Sequence, residues 1–113
     1  MREKIQVPYS AGREIPKLEI PKLTCDTHCH IFDPVRFPYK PDDTRNQPPA
    51  TVDVYRLLQR RLGMTRCVVV TPSAYGTDNR CTLDAVKQMG ECARAVVVLK
   101  KDVTRQEIKD LHE

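Results

Sequence analysis

Two apolar runs, Cys67-Val68-Val69-Val70-Thr71 and Ala95-Val96-Val97-Val98-Leu99, lack the polar alternation of a strand with one wet face. Strands buried on both sides look like this, and parallel sheets are where they occur. The runs start 28 residues apart, from position 67 to position 95, close to the length of one strand–helix repeat. Between them, Thr82–Glu91 sets Leu83, Val86 and Met89 or Gly90 at helical spacing. Upstream, Thr51 and Asp53 open another helix whose Val54, Leu58 and Leu62 recur on one face, and Gly63 stands at its carboxyl cap. Leu23–His28 reads as a first strand. Thr104-Arg105-Gln106-Glu107 forms a capping box for a last helix carrying Ile108 and Leu111 on its apolar side. The order is β-α-β-α-β-α, an α/β class built on a parallel sheet.

The 113 residues make one domain with a modest core. At 40% hydrophobic and 30% charged, the chain is globular and not disordered. Trp is absent, so the core rests on Val, Leu, Ile and Cys. The net charge of +4 is dispersed, and Arg60-Arg61 with Arg66 has no interleaved aromatics. That cluster reads as a solvated helix end, and no nucleic-acid partner is expected. No apolar window has the length of a membrane span, and no signal-peptide core opens the chain, so no membrane partner is expected either. Five cysteines without zinc-finger spacing suit reduced thiols in a cytoplasmic protein. Residues 1–23 carry an Ile-Pro-Lys-Leu echo at Ile15–Leu23 and read as an extended leader, with the domain proper at 24–113.

The chemistry centres on Cys25-Asp26-Thr27-His28-Cys29-His30, where two imidazoles stand two residues apart at a strand end. In extended backbone such side chains share a face. His28 and His30 would converge as metal ligands or as donors to a bound carbonyl or carboxylate. A buried histidine pair or an accidental surface spacing are the bland alternatives. The same alternation turns Cys25 and Cys29 to the opposite face, against a four-ligand zinc cluster with the histidines. In parallel βα folds ligands bind at the carboxyl ends of strands. His28 and His30 end the first strand. Thr71, Ser73, Tyr75 and Asp78-Asn79 follow the second, and Lys101-Asp102 follow the third. The opposite connections, Gly63–Arg66 and Cys92–Arg94, are short.

Of these rim residues, Ser73 either donates to a substrate carboxylate or makes a turn after Pro72. Gly76-Thr77-Asp78-Asn79 sets a tight loop and caps the next helix, with contact to a ligand as the alternative, and Tyr75 reads as a packing residue in preference to a lid. The connection Asp33–Ala50, with five prolines, is long enough to be either functional or disordered. No P-loop, dinucleotide fingerprint or Ser-His-Asp order is present.

The strings Cys25-Asp26-Thr27-His28-Cys29-His30-Ile31-Phe32-Asp33-Pro34, Phe37-Pro38-Tyr39, Leu62-Gly63, Val68–Ser73, Tyr75–Asn79 and Leu83-Asp84-Ala85 resemble the opening of the amidohydrolase-related family. The branch they are most similar to is the 2-pyrone-4,6-dicarboxylate lactonase-like one. The resemblance implies a (β/α)8 TIM-type barrel, of which this chain holds the first three βα units. It implies a hydrolase of a lactone, or related cyclic ester or amide, of a carboxylated small molecule. His28 and His30 would line the site, binding one divalent metal (zinc first) in metal-dependent members or polarising the scissile carbonyl without one. Ser73 would contact a substrate carboxylate. The family's further histidine, its arginines and its late aspartate base fall beyond residue 113. The expectation is therefore an N-terminal portion, catalytically incomplete alone, in a homo-oligomer or with a complementing C-terminal part. The alternatives are a non-catalytic remnant and a small zinc-binding module.

Overall fold

A computed structural model of the chain describes residues 14–112. Its elements run β1 (Cys25–Cys29), α1 (Val52–Leu62), β2 (Arg66–Val70), α2 (Arg80–Met89), β3 (Ala93–Val96) and α3 (Arg105–His112), with short 3-10 turns at Ser73–Tyr75 and Gly90–Cys92. The three strands form one sheet in the order β1-β2-β3, both pairs parallel. This is the α/β repeat that the apolar runs predict. Residues 14–23 form no helix or strand, and the Arg66 guanidinium donates to the Leu23 carbonyl. The rest of the proposed leader lies outside the described residues.

One face of the sheet carries the core. Cys67 and Val69 are 2% and 0% exposed there, in register with Ala93 and Ala95 of β3 and with Asp26 and Cys29 of β1. α2 covers this face with Cys81, Thr82 and Ala85, and α1 adds Val52, Tyr55 and Gln59. The other face alternates away from the helices. Val68 and Val70 are half-buried on it, and Val96 is 49% exposed. The strands expected to be buried on both sides are thus covered on one, because the helices all follow the strands onto the same layer.

The helical faces also differ from expectation. Val54, Leu58 and Leu62, the residues at helical spacing, are half-buried, with Leu58 packed at the core margin, while α1 buries Val52, Tyr55 and Gln59. The tyrosine hydroxyl donates to Asp26 Oδ2 at 2.8 Å, which orients the helix on β1. In α2 the buried set is Cys81, Thr82 and Ala85, with Val86 and Met89 packed at its margin. Small residues let the helix approach the sheet, so the larger ones flank the contact. Gly63 caps α1 at φ 78, donating to the Gln59 carbonyl, a left-handed turn that glycine takes without strain. The capping box of α3 closes both ways: Thr104 N–H to Glu107 Oε2 at 2.7 Å, Glu107 N–H to Thr104 Oγ1 at 3.1 Å.

β3 starts two residues earlier than the apolar run and stops at Val96, not Leu99. β2 ends at Val70, and Pro72 has no N–H to extend the ladder. Beyond that point the side-chain amide of Asn79 bonds to the Val98 backbone instead. The long Asp33–Ala50 connection is folded. A two-residue antiparallel bridge, Phe32 with Ala50, closes its base. Tyr39 stacks edge-on against Tyr75 at 5.2 Å and donates its hydroxyl to the Gln47 carbonyl. Arg36 reaches across to Asp84 of α2 with a bidentate bond at 2.8 and 3.0 Å.

Candidate active site

The site grows from an irregularity in β1. Asp26 pairs with Cys67 and Cys29 with Val69, so Thr27 and His28 together oppose a single residue. Such a bulge reverses the parity of the strand. Asp26 and Cys29 therefore both face α1, while His28 and His30 lie on the uncovered face. The two imidazole centroids are 5.1 Å apart with planes at 82°. They converge as the spacing predicts.

Each histidine is held from behind. His30 Nδ1 lies 2.8 Å from the Val70 carbonyl at the end of β2, and its ring meets the edge of Phe32 at 5.9 Å. The backbone N–H of His28 donates to Asp26 Oδ1 at 3.2 Å. Asp26 Oδ2 in turn accepts from Tyr55, so one carboxylate ties the bulge to α1. Burial, then the Asp26 bond, pushes the Tyr55 hydroxyl far up, and it stays a donor. The Cys29 thiol is also pushed up, by its bond to Cys67 and by burial, and is a core group.

Beside His30 a half-open cleft of about 360 Å³ runs between β1 and α1, lined by Asp26, His30, Phe32, Val54, Tyr55 and Leu58. Sequence reasoning missed this cleft and the Asp26–Tyr55 pair. Regular alternation puts Asp26 with the histidines, and only the bulge moves it under the sheet.

Other rim residues are committed elsewhere. Thr71 is buried, donating to Asn79 Oδ1 at 2.8 Å and lying 2.9 Å from the Thr82 hydroxyl. Asp78 accepts from Arg80 N–H at 3.1 Å at the start of α2, and the Arg80 guanidinium lowers its carboxyl. Tyr75 is 2% exposed and accepts the Asp33 N–H at 3.0 Å, a packing residue as expected. Ser73, in contrast, is exposed at the start of its turn, three residues past the carbonyl that holds His30. Lys101 and Asp102 are exposed in the turn after β3.

Among the described residues, no three His, Cys, Asp or Glu side chains gather where they could hold a metal ion. His28 and His30 supply two donors where a catalytic zinc takes about three from protein. The residues present do not fit a metal by themselves, and no chemical step is derived through one.

The fold is thus a parallel βα sheet with an imidazole pair at the carboxyl end of its first strand. The sequence profile described as Amidohydrolase matches residues 25–113, and the chain belongs to that family. It is 34% identical over 106 residues to a 2-pyrone-4,6-dicarboxylate hydrolase of Comamonas testosteroni, covering 93% of this chain and 35% of that one. It is 36% identical over 93 residues to a 4-sulfomuconolactone hydrolase of Rhizobium radiobacter, covering 81% and 31%. Among solved structures, the apo Agrobacterium tumefaciens protein ATU3138 superposes with a TM-score of 0.78 at 28% identity, over 91% of this chain and 36% of that one. An Acinetobacter baumannii protein described as a probable 2-pyrone-4,6-dicarboxylic acid hydrolase, with citric acid bound, gives 0.70 at 26% identity over 78% and 33%. The chain spans about a third of the length of these relatives. Among the described residues no helix is long and apolar enough to cross a membrane.

Proposed function

We propose that the chain supplies the first three βα units of a (β/α)8 barrel hydrolase that opens a lactone, or related cyclic ester or amide, of a carboxylated small molecule. The observation that carries this is the imidazole pair, 5.1 Å apart at the carboxyl end of β1 on the face that no helix covers. In such a barrel that face is the lumen, and strand carboxyl ends hold the chemistry. Two relatives are named for lactones bearing anionic groups, and one structural neighbour holds citric acid. These support an anionic substituent on the substrate.

In this reading a water oxygen attacks the ring carbonyl and an N–H of the imidazole pair, from His28, stabilises the oxyanion that forms. The acyl–oxygen bond then breaks, and the ring oxygen leaves with a proton as the hydroxy acid forms. Ser73 donates its hydroxyl to a substrate carboxylate. The base that takes the water's proton comes from outside this chain, as does any further ligand that a divalent metal would need. The partner is accordingly a complementing C-terminal part, within one polypeptide or as an assembly, and the five free thiols suit a cytoplasmic setting.

The test is a chimera in which residues 25–113 replace the matching third of the Comamonas relative, assayed on 2-pyrone-4,6-dicarboxylate beside the 113-residue chain alone. Turnover by the chimera that falls with His28→Ala or His30→Ala is expected. Turnover indifferent to both substitutions would remove the proposed site.

A further inference from the structure

We infer that the Val70 carbonyl locks His30 in the Nδ1–H tautomer, so that His30 presents a bare Nε2 lone pair while His28 is the ring that donates. The two imidazoles, alike in sequence, then have opposite roles. A carbonyl oxygen offers lone pairs and no proton, so the 2.8 Å contact with His30 Nδ1 is attractive only if that nitrogen carries hydrogen. A neutral imidazole has a single N–H. Once it is spent on Val70, Nε2 is left as an acceptor.

The lock is built into the fold. Val70 is held in register with Val96, so its carbonyl cannot follow a turning ring. Phe32 at 5.9 Å and His28 at 5.1 Å meet the same imidazole edge-on. A ring flip would exchange the hydrogen bond for a C–H against the carbonyl. His28 has no such anchor: among the described residues its ring makes no hydrogen bond, and only its backbone is tied, to Asp26. Its N–H is free to turn to a ligand.

The role assigned to this asymmetry rests on the hydrolase reading; the tautomer itself does not. Within that reading His28 faces the carbonyl oxygen where negative charge develops, and His30 Nε2 accepts a hydrogen bond that orients the attacking water or a substrate hydroxyl, without taking its proton.

The test uses the 113-residue chain labelled with 15N-histidine, read by long-range 1H–15N correlation at about pH 9, above the ordinary imidazole range. His30→Ala assigns the signals. The expected result is His30 with Nδ1 in the protonated nitrogen range and Nε2 in the unprotonated range, and His28 with averaged shifts. An Nε2–H or averaged pattern for His30 overturns the inference. That outcome leaves the hydrolase reading standing, and a failed lactone assay leaves the tautomer standing. A second measurement needs no assignment. Asn places an N–H near the Nδ1 position and Gln near Nε2, so His30→Asn keeps the parent unfolding midpoint while His30→Gln drops to that of His30→Ala. Equal losses for Asn and Gln would also overturn it.

Discussion

The side-chain amide of Asn79 makes both backbone hydrogen bonds of Val98, donating from Nδ2 to its carbonyl and accepting its N–H at Oδ1, each at 2.9 Å. It substitutes for a neighbouring strand where β2 has already ended. The same Oδ1 also accepts from Thr71. Asn79→Ala strands three polar groups, the Val98 N–H and carbonyl and the buried Thr71 hydroxyl, and is expected to cost about 2–3 kcal/mol. Asn79→Asp keeps the acceptors but cannot donate to Val98, so it falls between the two. Denaturant unfolding of the three proteins checks the order, and an Asp variant as stable as the parent would refute it.

His28→Ala, in a completed barrel, is expected to lower kcat/KM by about 10²-fold or more, the scale for removing an oxyanion donor. KM should change less than kcat, because the bond strengthens as charge develops. Steady-state kinetics of the chimera reads both. Ser73→Ala is expected to do the reverse, raising KM for a carboxylated lactone while sparing kcat.

Tyr55→Phe removes the hydroxyl that joins α1 to Asp26 at 2.8 Å. The half-buried carboxylate oxygen then loses its partner, and a loss of about 1 kcal/mol is expected. Asp26 also holds the His28 amide, so the variant should broaden the His28 imidazole signals before any change at His30. Thermal unfolding and NMR linewidths measure the two effects separately.

Arg36 and Arg80 set an acid limit on the fold. Their hydrogen bonds hold the carboxyls of Asp84 and Asp78 below the usual carboxylate range. A carboxyl whose folded value is depressed adds stability above its unfolded value, near pH 4, and loses it as pH falls through the folded value. Arg36→Ala should therefore be less stable than the parent at neutral pH, by the small amount typical of exposed ion pairs, with the two converging as pH falls below the usual carboxylate range. Unfolding midpoints measured from pH 7 to pH 2.5 test this. A gap that widens on acidification would contradict it.

The element order was legible because its signals are local. The valine runs, Gly63 and the Thr104–Glu107 box each act within a few residues; Gly63 and the box appear where the sequence puts them, and the runs mark both strands although β3 is shifted to Ala93–Val96. The histidine pair was legible for a related reason: the extra residue of β1 comes before Cys29, so the step from His28 to His30 is regular and their mutual parity is undisturbed. What sequence reasoning could not reach is set by distant partners. The end of β3 depends on Asn79, nineteen positions before Val98. The folding of Asp33–Ala50 depends on Tyr75 meeting Tyr39 and the Asp33 amide. The inward face of α1 follows a tyrosine–aspartate bond that hydrophobicity does not weigh.

The bulge has one more consequence. Thr27 and His28 share a single opposite number in β2, so the strand carries slack of one residue. A chain lacking Thr27 would pull straight with Asp26 still beneath the sheet and both imidazoles still above it. Length at this point is free to vary without moving the chemistry, and any comparison that forbids a gap inside β1 would misplace one side of it.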